Sequence, residues 1–282
     1  MTGFIIVNKE VGTSSAREVS IIKRLTNTPC GHMGTLDPMA SGVLPIAIGN
    51  AARLFDYFLN KRKTYIAEFK FGADSDTLDT TGYITATGGR VPQESEIVQI
   101  LPSLCGEVMQ IPPNYSAKNV GGKRGYQLAR LGVQFELPPK KVNIYSIKFL
   151  EKKSTDSFTF EIECGGGTYI RSIARDLGKS LNTCAIMSAL VRTRSGCFDI
   201  KDAVKTDGLT PTNFENFIIA TDSVLPFDSV YPTEYEAKKL FNGLSVPCAL
   251  SDGLYKIYFT DGSFYGLAEA KANNLKVRTK LC

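Results

Sequence analysis

The stretch "KTYIAEFKFG" alternates without a break, with Tyr65, Ala67, Phe69 and Phe71 on one face and Ile66, Glu68 and Lys70 on the other. That is the period-two pattern of a half-buried strand. "GFIIVNK" and "GVLPIAIG" are short continuous apolar runs that predict buried strands, and "VNIYSIKFL" and "SFTFEIEC" are two more strand candidates. Between them the period becomes helical. "SSAREVSIIKRL" carries Val19, Ile22 and Leu25 on one stripe behind a capping box from Ser15 to Glu18. "NAARLFDYFLN" predicts a helix with Leu54, Phe55, Phe58 and Leu59 facing the core, and "EIVQILPSL" and "YQLARLG" predict shorter ones. "GGGTYIRSIARDLGKSL" opens as a glycine loop and continues as a helix with Ile170, Ile173, Ala174, Leu177 and Leu181 inward. Strands and helices mix without the regular beat of a doubly wound fold, which predicts α+β around a mixed sheet.

Near "VLPFDSVYPTEYEAKKLFNG" the texture changes to a short helix followed by small strands, "LYKIYFTDGSFYGLAEA", with a turn at Asp261-Gly262. This divides the chain into a large domain, 1–228, and a small β-rich domain, 229–282. With 282 residues, 43% of them hydrophobic, a full core is expected. The apolar runs are too short and interrupted to span a membrane, and "MTGFIIVNKEVG" has neither a basic n-region nor a cleavage-like site. A soluble, cytoplasmic protein without membrane contact is expected. Seven widely spaced cysteines with no C-x-x-C pair, beside a single histidine, support neither a disulfide framework nor a zinc site.

The formal charge of +5 is weak evidence for an anionic partner, but its distribution says more. Between Pro112 and Lys141 lie Lys118, Lys123, Arg124, Arg130, Lys140 and Lys141 against one acid, Glu136, with Tyr115 and Tyr126 among them. Basic residues interleaved with aromatics suit phosphate contacts and base stacking on RNA. An ordinary solvated loop has the same composition.

Candidate chemistry concentrates in "GHMGTLDPMASGVLP", which holds the only histidine, His32, and an acid, Asp37, directly before Pro38. Proline disfavours helix for the preceding residue, so Asp37 belongs on extended or turning backbone. A carboxylate among apolar neighbours needs water, a cationic partner, or backbone N–H groups in a turn. Arg171 falls in or near the first turn of its helix, where the dipole disfavours a cation by about 0.3–1 kcal/mol unless an anion compensates. Asp37, Asp74, Asp76 and Asp79 are the available partners. At about 4 Å and an effective dielectric near 20, an ion pair is worth roughly 4 kcal/mol before desolvation. A purely structural salt bridge satisfies the same requirement.

Other signatures fail. "DSDTL" places Leu78 where an aspartate-based phosphatase needs Thr or Val, and the acidic loop lacks the glycine and distal glutamate of a calcium site. "GGGTYIR" lacks the Lys-Ser/Thr ending of a P-loop. With no His or Cys cluster, metal chemistry has no support, leaving a carboxylate, an arginine and aromatics.

On these residues the chain resembles the TruB family of tRNA pseudouridine synthases. "GHMGTLDPMASGVLPIAIGNAAR" is similar to the family's central motif, whose aspartate before proline is the nucleophile. "FIIVNKEVGTSS" resembles its N-terminal lysine-glycine motif, "KTYIAEFKFGADSDTLDTTG" its tyrosine strand and acidic loop, and "IPPNYSAKNVGGKRGYQLARLG" its RNA-gripping insertion. "CGGGTYIRSIARDLG" resembles its arginine helix and "ALVRTRSGCF" the segment beneath the target base. The motifs run in the family's order from residue 3 to 198, whereas the tail is short and thinly similar to a PUA-type domain.

The resemblance implies a pseudouridine-synthase-like, mainly antiparallel mixed sheet with flanking helices, an insertion at about 112–141, and a PUA-like RNA-binding tail. It implies isomerisation of uridine to pseudouridine at position 55, in the T loop of tRNA, with no cofactor and no metal; no protein partner is implied, and a monomer is expected. Asp37 would act on the ribose, either by attacking C1′ or by taking a proton from C2′ to give a glycal, and Arg171 would pair with it. Tyr65 would stack on the base and assist removal of the C5 proton. Tyr169 and Leu190 would line the uracil pocket, His32 would fill the gap left by the extruded base, and Asp79 would buttress the polar network. Lys118, Lys123 and Arg124 would touch phosphates. Core packing also accounts for Tyr65, Tyr169 and Leu190, and a non-catalytic tRNA-binding protein or a synthase for another RNA would share much of this pattern.

Overall fold

The structure, a computed structural model, describes residues 1–116, 119–120, 122–133, 135 and 137–282, without the side chains of residues 86, 120, 123, 124, 126 and 130. Its centre is a nine-stranded sheet with the path Gly3–Lys9, Ser41–Ile48, Ala185–Ser195, Lys63–Phe71, Ser157–Cys164, Lys140–Lys152, Gly106–Gln110. Cys30–His32 adds to Ser41–Ile48, and Phe198–Asp199 to Ala185–Ser195. Only the pairing of Ser41–Ile48 with Ala185–Ser195 is parallel. The fold is therefore mixed but mainly antiparallel, with helices on the sheet.

The Lys63–Phe71 strand alternates as its sequence predicts, burying Tyr65, Ala67, Phe69 and Phe71. Phe69 stacks near Phe160 at 5.0 Å between ring centroids, and Phe71 meets Phe158 edge-on at 5.5 Å. The Ile170–Ser180 helix closes over this face, and Ile170, Ile173, Ala174, Leu177 and Leu181 join the same core. At about 1.5–3 kcal/mol per fully buried large apolar side chain, this layer fixes where the helix's polar first turn sits relative to Tyr65.

Ala185–Ser195 is central to the sheet, yet its periodicity is broken. Register shifts between Met187 and Ala189 and between Arg192 and Arg194 mark bulges, which displace the two-residue alternation. Its parallel neighbour approaches so closely that a Cβ on Gly42, at φ +98°, would fall 2.3 Å from the Arg192 carbonyl oxygen. Only glycine fits there.

Two local expectations are corrected. The first helix, Ser15–Thr26, is capped by Ser14, whose hydroxyl accepts from the Arg17 N–H, so there is no capping box from Ser15 to Glu18. Ser15 instead accepts from Leu36 N at 3.0 Å and donates to Leu36 O at 2.9 Å, while Glu18 accepts from Thr206. The 49–59 stretch is a 3-10 turn, Gly49–Leu54, followed by a short α-helix, Phe55–Leu59. The change of pitch turns Phe55 outward, 39% exposed, while Leu54 and Phe58 stay buried and Leu59 is half-buried.

Beyond Ser229 a five-stranded sheet follows the path Ser229–Val230, Gly253–Tyr258, Phe264–Lys271, Asn274–Lys280, Val246–Pro247. It carries the Glu234–Phe241 helix, whose capping box joins Thr233 and Glu236. This tail has its own core around Leu240, Ile257 and Tyr265, but it is also docked. Leu267 and Leu281 pack into a second core with Phe4, Leu54, Phe58, Phe198 and Leu225. Asn50 and Arg53 donate to the carbonyls of Cys282 and Lys280 at 2.6 and 2.8 Å. Leu281→Ala is expected to destabilise the protein by about 2–5 kcal/mol through the cavity it leaves at this seam. Denaturant unfolding measures it, and a change under 1 kcal/mol would mean the tail is held by its polar contacts. No helix among the described residues is long and apolar enough to cross a membrane.

Candidate active site

Where the sheet meets the Ile170–Ser180 helix there is a cleft of about 1020 Å³. His32, Asp37, Tyr65, Asp79, Tyr169, Arg171 and Leu190, drawn from segments far apart in sequence, all line it.

Asp37 sits in a turn closed by Ala40 N–H donating to its carbonyl at 3.0 Å. Its backbone is pinned from both sides. Leu36 is held by the Ser15 hydroxyl, and Pro38 O accepts from Gly12 N–H at 2.8 Å and from the Lys9 ammonium at 3.3 Å. The carboxylate is less secluded than its apolar neighbours imply, since 37% of the side chain is open to the cleft. Its Oδ2 meets Arg171 at 2.9 Å.

Arg171 is buried, and its guanidinium gathers four partners. Besides Asp37 it reaches Asp79 Oδ2 at 3.5 Å and donates to Thr77 O at 2.9 Å and Tyr115 O at 3.0 Å. Of the four acids open to it in the sequence, it therefore takes Asp37 and Asp79. Asp76 accepts from the Tyr83 N–H and the Tyr115 hydroxyl, and Asp74 from the Ser75 N–H. Asp79 is itself fixed by Thr77 Oγ1 at 2.7 Å and the Thr81 N–H at 2.9 Å. The planar fork thus joins the Asp37 turn, the acidic loop and the start of the 112–141 segment.

Tyr65 is buried on the cleft wall, and burial pushes its phenol up to about 12, with Arg192 opposing. Burial also raises the Tyr169 phenol, against Ser116 and Arg171. Tyr169 caps the helix through its backbone: Gln110 accepts from its N–H at 2.8 Å and donates to its carbonyl at 3.1 Å. Leu190 is buried beside Tyr65's neighbour, since it pairs with Ala67 across the two strands. His32 lies at the end of its short strand, its Nδ1 buried without a hydrogen-bond partner among the described residues. Burial first, and the Arg192 charge second, lower its pKa below 6.5, so the imidazole is neutral at pH 7. Lys118 lies outside the described residues, as do the side chains of Lys123 and Arg124. The backbones of Asn119–Val120 and Lys123–Arg124 form a small hairpin.

Lys9 is the lysine of the lysine-glycine motif, but three participants were not singled out from the sequence: Lys63, Gln110 and Arg192. All three belong to strands, where a lone polar residue is hidden by the pattern around it; a cation at an inward-facing position, such as Lys63 two before Tyr65, is the signal that was available. Among the described residues no group of three His, Cys, Asp or Glu could hold a metal.

The family model described as TruB family pseudouridylate synthase (N terminal domain) matches residues 23–170, and that described as tRNA pseudouridylate synthase B C-terminal domain matches 171–230. The chain is 35% identical to the tRNA pseudouridine synthase B of Clostridium kluyveri over 98% of both chains. It is 38% identical to that of Borrelia garinii over 90% of each, and 39% identical to that of Caulobacter vibrioides over 81% of this chain and 74% of the other. Among solved structures, a Cbf5-Nop10-Gar1 complex contains a chain superposing with a TM-score of 0.72 at 24% identity, covering 99% of this chain and 85% of that one. An H/ACA RNP bound to a substrate RNA containing 2′-deoxyuridine gives 0.70 at 23%, with the same coverage. At that identity the structural likeness speaks for the fold alone. The two family models together span most of the sequence and meet at the first turn of the helix that carries Arg171, so the chain belongs to the TruB family of pseudouridine synthases.

Proposed function

We propose that the cleft isomerises uridine to pseudouridine in tRNA, acting on the T-loop uridine at position 55. One observation carries this reading: a carboxylate open to the cleft, clamped at 2.9 Å by a buried arginine, faces a wall made by a tyrosine and a leucine. That is the equipment for chemistry on a sugar beneath a stacked base. The base must leave its folded loop, at a cost of a few kcal/mol. Neutral His32 at the cleft is suited to occupy the vacated space, because an uncharged ring stacks without the larger desolvation penalty of a cation.

Once the uracil stands against Tyr65 and Leu190, Asp37 acts on the ribose as the C1′–N1 bond breaks, at C1′ or through the C2′ proton. The uracil turns within the cleft, C5 bonds to C1′, and the C5 proton passes to Tyr65. Arg171, tied to Thr77, Asp79 and Tyr115, holds the Asp37 carboxylate in place throughout. Nothing is oxidised and no group is imported, so the reaction calls for no cofactor. We take the catalyst to act as a monomer, in the cytoplasm where a tRNA substrate is found.

We assign the 112–141 segment to the grip on the T arm and residues 229–282 to a second RNA contact. If the basic side chains touch phosphates, Lys123→Ala and Arg124→Ala will each weaken binding to every tRNA alike. Each will also reduce the slope of log affinity against log salt by up to about one unit. The single-turnover rate at saturating enzyme should change far less. Binding curves at several salt concentrations decide it, and an unchanged slope in both variants returns the segment to an ordinary solvated loop.

The activity itself is tested by incubating pure protein with unmodified tRNA transcript and mapping pseudouridine by position. Modification at another position would redirect the substrate assignment, and tight binding without any product would favour a non-catalytic tRNA-binding protein.

A further inference from the structure

The cleft wall holds more positive charge than the Asp37–Arg171 pair accounts for. Arg192 is 1% exposed and Lys63 5%, and among the described residues neither has a carboxylate within 4 Å. Arg192 donates to backbone, Nε to Val43 O at 2.7 Å, Nη2 to Gly34 O at 3.0 Å, and Nη1, more weakly, to Thr35 O at 3.4 Å, and its remaining hydrogen-bonding partner is the Tyr65 phenol. Lys63 donates to Leu59 O at 2.8 Å and Lys61 O at 3.1 Å. Their ends converge on one place, for a Cβ built on Gly34 would lie 3.7 Å from Lys63 Cε and 3.8 Å from an Arg192 Nη.

Carbonyl dipoles satisfy the N–H groups without cancelling the charge. Two buried cations without a counter-ion are costly to keep, and such arrangements concentrate at functional sites. An RNA phosphate is a poor candidate for the missing anion, because neither side chain is open enough to meet one. The remaining candidate is an anion that forms inside the cleft. Tyr65 stands directly opposite Arg192 in the antiparallel pairing of Lys63–Phe71 with Ala185–Ser195, and two residues from Lys63 on the same face of its strand. Directly opposed residues are the closest side-chain neighbours a sheet provides.

We propose that Arg192, seconded by Lys63, is a positioning residue that stabilises the phenolate of Tyr65 while that oxygen removes the C5 proton of the rearranged uracil. This rests on the function proposed above and assigns the electrostatic partner of its last step. After C5 has bonded to C1′, C5 carries both the sugar and a proton. The phenolate takes that proton, the C5–H electron pair becomes the C5–C6 double bond, and the C6–N1 π pair moves onto N1. N1 gains a proton from solvent, and the phenol returns its own to solvent. The sum is transfer of one proton from C5 to N1, as an isomerisation requires.

Burial, with Arg192 already opposing it, leaves the Tyr65 phenol at about 12, where little phenolate exists near neutral pH. Lys63 lies on the same face of the Tyr65 strand, and the groups facing the phenol from other elements are Arg192 from the Ala185–Ser195 strand, Cys164 from the Ser157–Cys164 strand and Asp37 from its turn. Of these Arg192 is the one that favours the anion, while Cys164 and Asp37 oppose it. Removing the Arg192 charge must therefore move the rising limb of the rate profile, set by ionisation of the phenol, to higher pH and slow the step at pH 7.

The test uses full-length protein and tRNA transcript carrying uridine or 5-deuterouridine at the target position. Arg192→Gln should lower the single-turnover rate by about 100-fold or more, the range of a general-base contribution, with Arg192→Lys recovering part of it. A primary isotope effect should appear, or grow, in Arg192→Gln, because C5–H cleavage becomes limiting. A slowed variant with the wild-type isotope effect overturns the proposal and leaves Arg192 as a brace for the Gly34–Thr35 backbone. Should Arg192→Gln fail to fold, a ring-fluorinated tyrosine at position 65 in the otherwise native protein decides the matter. It acidifies the phenol at nearly constant size, so the rising limb should move to lower pH, and an unmoved profile overturns the proposal. Failure of the proposed function itself looks different, since the native protein would then form no pseudouridine.

Discussion

Asp37→Asn is expected to reduce pseudouridine formation by at least about 10⁴-fold, ~5.5 kcal/mol of barrier, while tRNA affinity stays within a few fold. The amide keeps the shape of the carboxylate but supplies neither a nucleophile toward C1′ nor a base toward C2′. The surroundings should tolerate the change. The turn at residues 37–40 is held by backbone and by Ser15, Gly12 and Lys9, none of which contacts the altered group. Single-turnover assays with saturating enzyme, alongside filter binding, separate the two quantities. A variant turning over within tenfold of the native rate would remove Asp37 from the reaction.

Arg171→Lys is expected to cost about 100-fold or more in the same assay, roughly 3 kcal/mol, although the charge is retained. Four partners at 2.9–3.5 Å are reached from two guanidinium nitrogens, and they belong to three separate loops. A single ammonium nitrogen cannot span them. Whichever partner lysine keeps, it leaves buried carbonyls at Thr77 or Tyr115 without a donor, so a stability loss of about 1–3 kcal/mol should accompany the rate loss. The resulting misplacement of the Asp37 carboxylate, rather than loss of positive charge, is then the cause of the defect. Normal turnover in this variant would show that a diffuse positive field is enough.

Much of this molecule is written locally. The alternation from Tyr65 to Phe71 and the apolar stripe from Ile170 to Leu181 each encode which side faces the core, because strand and helix periods are properties of adjacent residues. The Asp-Pro step encodes the turn at Asp37, and Arg171 in a first turn encodes the need for an acid. Local signals fail where a neighbour from elsewhere intervenes. Ser15 is drawn off its cap by Leu36, and Phe55 turns outward when the helix changes pitch. The Ala185–Ser195 strand loses its alternation at two bulges.

The sequence by itself therefore determined the kinds of element, the residues that come to line the cleft and, through the order of its motifs, the family. Only the tertiary structure decided which acids Arg171 holds, that one guanidinium ties three loops together, and that Lys63 and Arg192 are buried near Tyr65 with no carboxylate within 4 Å among the described residues. The reason is physical: periodicity and propensity act within a few residues, whereas ion pairs and desolvation depend on distances through space. In this chain those distances are set by strands more than a hundred residues apart lying side by side in one sheet.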